Sequence, residues 1–164
     1  MGIMASAKSR VGLALASRLA GVFVEGDDLH PISNVEKMSA GVPLSDDDRR
    51  PWLEHLAREV KRKSVATEQV VFSCSALKLA YREQLRRELP DMITICLTLS
   101  AAVAVERSNA RTDHFMPAEL VASQLATLEL PKCEQDAALV DASASFERVL
   151  ANTERAINRI THSS

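Results

Sequence analysis

Aromatic side chains are few in this chain, with one Trp, one Tyr and four Phe among 164 residues. That scarcity argues against the stacking platforms that bind single-stranded nucleic acids. A surplus of basic charge is missing too. Twenty Lys and Arg against 22 Asp and Glu give a formal charge of −2, which supports neither a general nucleic-acid surface nor a membrane surface. No apolar run reaches the roughly 20 residues that span a bilayer. Cysteine is sparse: Cys74, Cys96 and Cys133 are far apart and odd in number. They form neither a CxxC metal pair nor an evident disulfide framework, so a reducing cytoplasm is the expected compartment. The N-terminus is not expected to act as a signal peptide, because VGLALASRLA is broken by Arg18 and reads as an amphipathic helix. Repeats, low-complexity tracts and linkers are absent as well.

What is present is an ordinary globular composition, 46% apolar and 26% charged, on a chain long enough for one domain with a real core. Helical and strand-like stretches alternate. Lys8 to Leu19 carries apolar residues at helical spacing, and GVFVEGDD reads as a short strand entering a polar turn. Asn34 to Ser39 is a short helix. The stretch from Ser45 to Ser64 is a long helix with Ser45 or Asp46 as its cap, acids in its first turn and bases in its last. QVVFSCSA and MITICLTL read as buried parallel strands, with a helix from Leu77 to Leu89 between them. Helices at Ala101–Arg111 and Pro117–Leu128, a strand AALVDAS and a closing helix Phe146–Ile160 complete the series. This alternation predicts an α/β fold, a parallel sheet flanked by helices. Ligands of such sheets bind beyond the carboxyl ends of the strands. The polar stretches EGDDLHP, SCSALKLAYR and ASAKS are therefore expected to converge on one rim.

The stretch GIMASAKS falls one residue short of the phosphate-loop pattern G-x-x-x-x-G-K-[ST], with Ala7 in place of the last glycine. Such a loop wraps backbone N–H groups around phosphate oxygens at a helix N-terminus. Gly2, Ile3, Met4, Ala5, Ser6 and Ala7 supply that backbone. Lys8 would reach the terminal phosphates, and the Ser9 hydroxyl would ligate Mg²⁺. If φ is positive at Ala7, its methyl costs roughly 1 kcal/mol or more, and otherwise it pushes the phosphate outward. The bland alternative is a small-residue helix start with a surface lysine.

The middle of the chain resembles the gluconate kinase family. GDDLHPISNVEKMSAGVPLSDDDRRPWLEHL follows that family's GDxLHPxxNxxKMxxGxPLxDxDRxPWL, VVFSCSALKLAYREQLR its CSALKxxYRxxLR, and HFMPAELVASQLATLELP its HFMPxxLLxSQxxxLExP. The likeness runs from Gly2 to about Ile157. It implies a single P-loop kinase domain over residues 1–164, of the nucleoside monophosphate and shikimate kinase type, with a lid at about 106–130. The usual first strand is missing from that picture, since only Met1 precedes the loop. The implied activity is transfer of the γ-phosphate of ATP to the 6-hydroxyl of D-gluconate, with Mg²⁺ as cofactor and a homodimer as a familiar assembly. Asp27 would face the incoming hydroxyl. His30, Arg49, Lys78, Arg82 and His114 would surround the sugar acid. Arg107 and Arg111 would bring lid charge to the phosphates, with Arg111 acting in the transfer itself. Asp113 stands where the family usually has glycine. The bland readings are a turn aspartate for Asp27, a surface charge paired to Asp46 or Asp48 for Arg49, and a solvated helix face for Lys78 and Arg82. Two other functions compete: a non-catalytic relative that keeps the pocket to bind a sugar acid or a protein, and a kinase of the same fold for another small molecule such as shikimate.

Overall fold

The structure, a computed structural model, describes residues 1–110 and 120–162. Those residues form seven α-helices and four strands, with one or two helices between successive strands. In order they are α1 (Lys8–Arg18), β1 (Val22–Val24), α2 (Ile32–Ser39), α3 (Asp46–Ser64), β2 (Val70–Phe72), α4 (Leu79–Glu88), β3 (Thr94–Thr98), α5 (Ala101–Asn109), α6 (Leu120–Thr127), β4 (Ala137–Asp141) and α7 (Phe146–Thr161). A single 3-10 turn at Asp27–Leu29 follows β1.

Local chemistry accounts for the helix ends. Ser45 caps α3 through a capping box in which its hydroxyl accepts from the Asp48 N–H while the Asp48 carboxylate accepts from the Ser45 N–H. Asp46, Asp47 and Asp48 complement the positive end of the α3 dipole, and Lys61, Arg62 and Lys63 the negative end. Pro51, inside α3, removes one backbone hydrogen bond without ending the helix. The helix expected from Leu77 begins two residues later. Ala76 has φ of 35°, and the carbonyl of Leu77 is taken by the Glu129 N–H and by Arg82.

The strands pair in parallel but do not form one sheet. β1 pairs with β2 from Val22↔Val70 to Val24↔Phe72, and β3 pairs with β4 from Thr94↔Ala137 to Thr98↔Asp141. The result is two two-stranded parallel sheets, divided where the usual first strand is missing. Met1 alone reaches the place between them. Its amine donates to the Ile95 carbonyl at 2.5 Å, and its carbonyl accepts from the Leu97 N–H at 2.9 Å, the pattern of one parallel bridge to β3. One residue makes one bridge, so a cavity of about 290 Å³ remains between β2 and β3, floored by Val11 and Leu15 of α1.

Three apolar clusters hold these parts together. α3 and α4 close over β1 and β2 through Trp52, Leu53, Leu56 and Leu85, each at most 1% exposed. α1 and α7 close over β3 and β4 through Val11, Leu15, Val149 and Leu150. Ile3 and Met4 of the N-terminal loop pack with Leu77, Ala104, Leu120 and Val121, which ties the loop to α5 and α6.

Candidate active site

The segment from Gly2 to Ala7 is a wound loop that delivers its backbone to the N-terminus of α1. Ala5 and Ala7 both lie in the left-handed region, with φ of 61° and 63°. Alanine resists that region by about 1–2 kcal/mol per residue, so the loop holds these two residues against their own preference. Gly2, with φ of 149°, has no such conflict, and a Cβ there would come within 2.5 Å of the Leu97 carbonyl oxygen. Within the loop the Ile3 carbonyl accepts from the Ser6 hydroxyl at 2.8 Å and from Lys8 Nζ at 3.1 Å. From outside it, Gln124 Oε1 on α6 accepts the Met4 N–H at 2.6 Å. Ala7 caps α1 without a side-chain hydrogen bond, which leaves the first N–H groups of the helix for an anion.

A cavity of about 40 Å³ opens at this helix end, lined by Lys8, Ser9, Asp27, His30, Arg49 and Gln124 together with loop residues and Ser75. A second, of about 90 Å³, shares Met38, Arg49 and Gln124 with the first and extends to Asp46, Lys78 and Tyr81. The turn that carries Asp27 is fixed from below. The Ser73 hydroxyl bonds Glu25 and accepts from the Gly26 N–H, while Trp52 Nε1 donates to the Gly26 carbonyl at 2.7 Å. A Cβ on Gly26 would meet the Ser73 carbonyl at 2.1 Å, so only glycine lets the turn lie this close to β2. His30 stacks on Trp52 at 4.1 Å, and Asn34 Nδ2 donates to its Nδ1 at 3.3 Å. Burial, opposed by Asp27, lowers the His30 pKa to about 4, so the ring is neutral at neutral pH.

Arg49 is the unusual group. Its side chain lies among the buried polar residues at 9% exposure, and its Nε has no partner. Nη1 has only a long hydrogen bond of 3.4 Å to the Ser75 hydroxyl. Neither acid suggested as its partner is available. Asp46 binds Lys78 at 2.6 Å and the Tyr81 hydroxyl, which lower its pKa. Asp48 binds Lys37 at 2.6 Å and Ser45. A buried guanidinium that faces these cavities and forms no ion pair among the described residues can receive an anion, since a charge removed from water requires a counter-charge.

The expected convergence of the loop, the turn after β1 and the stretch after β2 is therefore met by Lys8, Ser9, Asp27, His30, Arg49 and Ser75. Lys78 lines the second cavity, held by Asp46. Arg82 does not join it. The side chain is 1% exposed, binds both oxygens of Glu134 and donates to the carbonyls of Ala76 and Leu77. Lys78, the N-cap of α4, and Arg82 fail as a cationic pair because Arg82 is buried against Glu134 while Lys78 is held by Asp46. Arg107 donates from Nη1 to the Ala142 carbonyl at 2.8 Å, beyond the lining of either cavity. Arg111, Asp113 and His114 lie outside the described residues. Ser75 and Gln124 were not among the expected site residues. Gln124 carried a signal: it sits four residues after the buried Leu120, so a carboxamide occupies the inward face of α6.

No protein-family model matches the chain. Single proteins do. A gluconokinase of Gluconobacter oxydans (strain 621H) is 46% identical over 131 residues, which cover 80% of this chain and 74% of that protein. The thermosensitive gluconokinase of Escherichia coli (strain K12) is 37% identical over 158 residues, 96% of this chain and 84% of that one. Among solved structures, a gluconokinase from Sinorhizobium meliloti 1021 superposes with a TM-score of 0.82 at 41% identity, covering 100% of this chain and 94% of that one. An unliganded sugar kinase from Janibacter sp. HTCC2649 gives a TM-score of 0.86 at 35% identity, covering 96% and 90%.

Proposed function

The chain belongs to the gluconokinase family, and from that premise we propose that the site formed by its two adjacent cavities transfers the γ-phosphoryl group of ATP to the 6-hydroxyl of D-gluconate. In that step the hydroxyl oxygen bonds to the γ-phosphorus, the bond from that phosphorus to the bridging oxygen breaks, and ADP and 6-phospho-D-gluconate leave. The acceptor proton passes to Asp27, which also orients the hydroxyl. Such transfer depends on positioning and on neutralising charge more than on covalent help. Loop amides and the start of α1 hold the phosphates, and Lys8 exchanges its Ile3 carbonyl for phosphate oxygens.

Mg²⁺ fits the donor set as an ion shared with substrate. Among the described residues no cluster of three or more His, Cys, Asp or Glu could cage a metal, but Ser9 and Asp27 line the same cavity. Magnesium commonly combines one or two protein oxygens with substrate phosphates and water. When bound there, it would neutralise phosphate charge, with the Ser9 hydroxyl as its protein ligand. We assign the chain to the cytoplasm on its free thiols. Burial raises the Cys74 pKa to about 12, so that thiol is inert, and Cys133 is exposed and unpaired.

One observation carries the acceptor assignment: the Arg49 guanidinium, buried beside the phosphate loop with its Nε unsatisfied and no ion pair formed, suits the carboxylate of a sugar acid. His30 and Lys78 offer the hydroxyl partners. The test is ADP release coupled to a reporter, with D-gluconate and with D-glucose, which lacks the carboxylate. Gluconate is expected to be used and glucose not. Arg49→Met is expected to raise KM for gluconate by about 10–100-fold, the worth of a charge-assisted hydrogen bond. A folded chain that binds gluconate without ATP turnover would establish the non-catalytic reading instead, which nothing in the comparisons favours.

A further inference from the structure

The strain at Ala5 and Ala7 needs a counterpart, because nothing in an alanine favours the left-handed region. The bonds inside the loop, from Ser6 and Lys8 to the Ile3 carbonyl, close on a single acceptor. They leave the residue between Ile3 and Ala5 to be fixed from elsewhere. That residue, Met4, is 4% exposed. Its N–H is satisfied by Gln124, a side chain 120 positions away, at 2.6 Å. Gln124 also lines both cavities and stands between the phosphate-loop side and the Lys78 side. Its helix is anchored under the loop by Leu120 and Val121, which pack in one cluster with Ile3 and Met4. The chain leaving α6 is tied to the start of α4, where Glu129 accepts the Leu79 N–H and donates its own N–H to the Leu77 carbonyl.

We infer that Gln124 is a positioning residue for the phosphate loop: its carboxamide holds Met4 so that the flanking alanines stay left-handed, and so couples the placement of α6 to nucleotide affinity. The inference rests on the kinase reading above. Its physical content is a population. Without the hydrogen bond, the alanine loop has a lower-energy shape available, and the fraction competent for phosphate falls. Apparent affinity falls by the same fraction. With glycine at positions 5 and 7 the competing shape loses its advantage, and the glutamine matters less.

The experiment measures ATP·Mg²⁺ binding by calorimetric titration, with no turnover required, and in parallel the KM values for ATP and gluconate. Gln124→Met keeps the length and removes the acceptor. In the native background it is expected to raise the ATP Kd about 5–10-fold, the equivalent of one neutral hydrogen bond, with KM for gluconate within about twofold. In a chain carrying Ala5→Gly and Ala7→Gly, the same change is expected to raise Kd less than twofold. Gln124→Asn, one methylene too short for the contact, is expected to follow Gln124→Met and serves if the latter does not fold. An unchanged ATP Kd, an equal loss in both backgrounds, a joint loss of affinity for both substrates with a lowered melting temperature, or a chain that never binds ATP would each overturn the inference. A chain that shows the expected coupling but phosphorylates no gluconate would support it and overturn the acceptor assignment alone.

Discussion

Each methyl group of the phosphate loop lies where a hydrogen is the easier fit. Ala7 has φ of 63° at the cap of α1, and replacing it by glycine exchanges a steric penalty of about 1–2 kcal/mol for about 0.4–1 kcal/mol of added chain entropy in the unfolded state. The net expectation for Ala7→Gly is a gain of up to about 1 kcal/mol, read as a rise of about 2–4 °C in melting temperature for a chain of this size. Faster turnover with ATP should accompany it. A fall in both would mean that the methyl packs favourably in the loop. At this scale the placement of the motif residues was legible: Lys8, Ser9, Asp27, His30 and Arg49 line one cavity. What could not be read was pairing. Asp46 and Asp48 are near Arg49 in sequence, yet Lys78 and Lys37 take them, because partner choice depends on chain segments that only folding brings close.

α4 shows how one helix can change the meaning of its residues. Arg82 and Arg86 reach across to Glu134 and Asp136, ahead of β4, with the Arg82–Glu134 contact at 2.6 Å and Arg86 Nε at 2.5 Å from Asp136. The Arg82 side chain is 1% exposed and that of Glu134 15%, so this is a buried ion pair, where loss of one partner leaves an uncompensated charge. Glu134→Ala is expected to destabilise by about 3–5 kcal/mol, measured by urea denaturation. Arg82→Met combined with Glu134→Leu should recover most of that loss. Recovery by neither, or a loss below about 1 kcal/mol for Glu134→Ala, would show that the pair is solvated. The helix itself was legible from its apolar spacing. Its first residue was not, because the start is set by Ala76 at φ of 35° and by distant groups bonded to the Leu77 carbonyl.

The molecule as a whole carries an open seam. β1–β2 and β3–β4 are separate pairs, with Met1 bridging to β3 and a cavity of about 290 Å³ beside it. The Met1 bridge fixes a register for any strand entering this seam. A segment of five β-branched residues fused ahead of Met1 would run parallel to β3 and meet the apolar walls provided by Val11, Leu15, Val71 and Ile95. Each new backbone hydrogen bond contributes about 0.5–1.5 kcal/mol. The expected result is a rise of several degrees in melting temperature, larger than that of a control segment with two prolines. Equal melting temperatures would mean that the two pairs close on each other without a strand between them. A parallel arrangement with helices over both faces was legible from the alternation of elements. The division into two pairs was indicated by the missing first strand, which the family resemblance and not the periodicity of the individual strands revealed.

The sequence by itself determined the order of elements, the cap of α3 and the family, because these depend on residue type and spacing along the chain. Tertiary structure alone decided which cation faces the cavity. Arg49 is left without a carboxylate and Arg82 is buried against one, although both are arginines of matching motifs. It also decided that Gln124, a carboxamide on the inner face of α6, meets the Met4 amide. The physical reason is the same in each case. The free energy of a buried polar group is set by what stands within about 3 Å of it, and those neighbours come from segments 52 or 120 residues away.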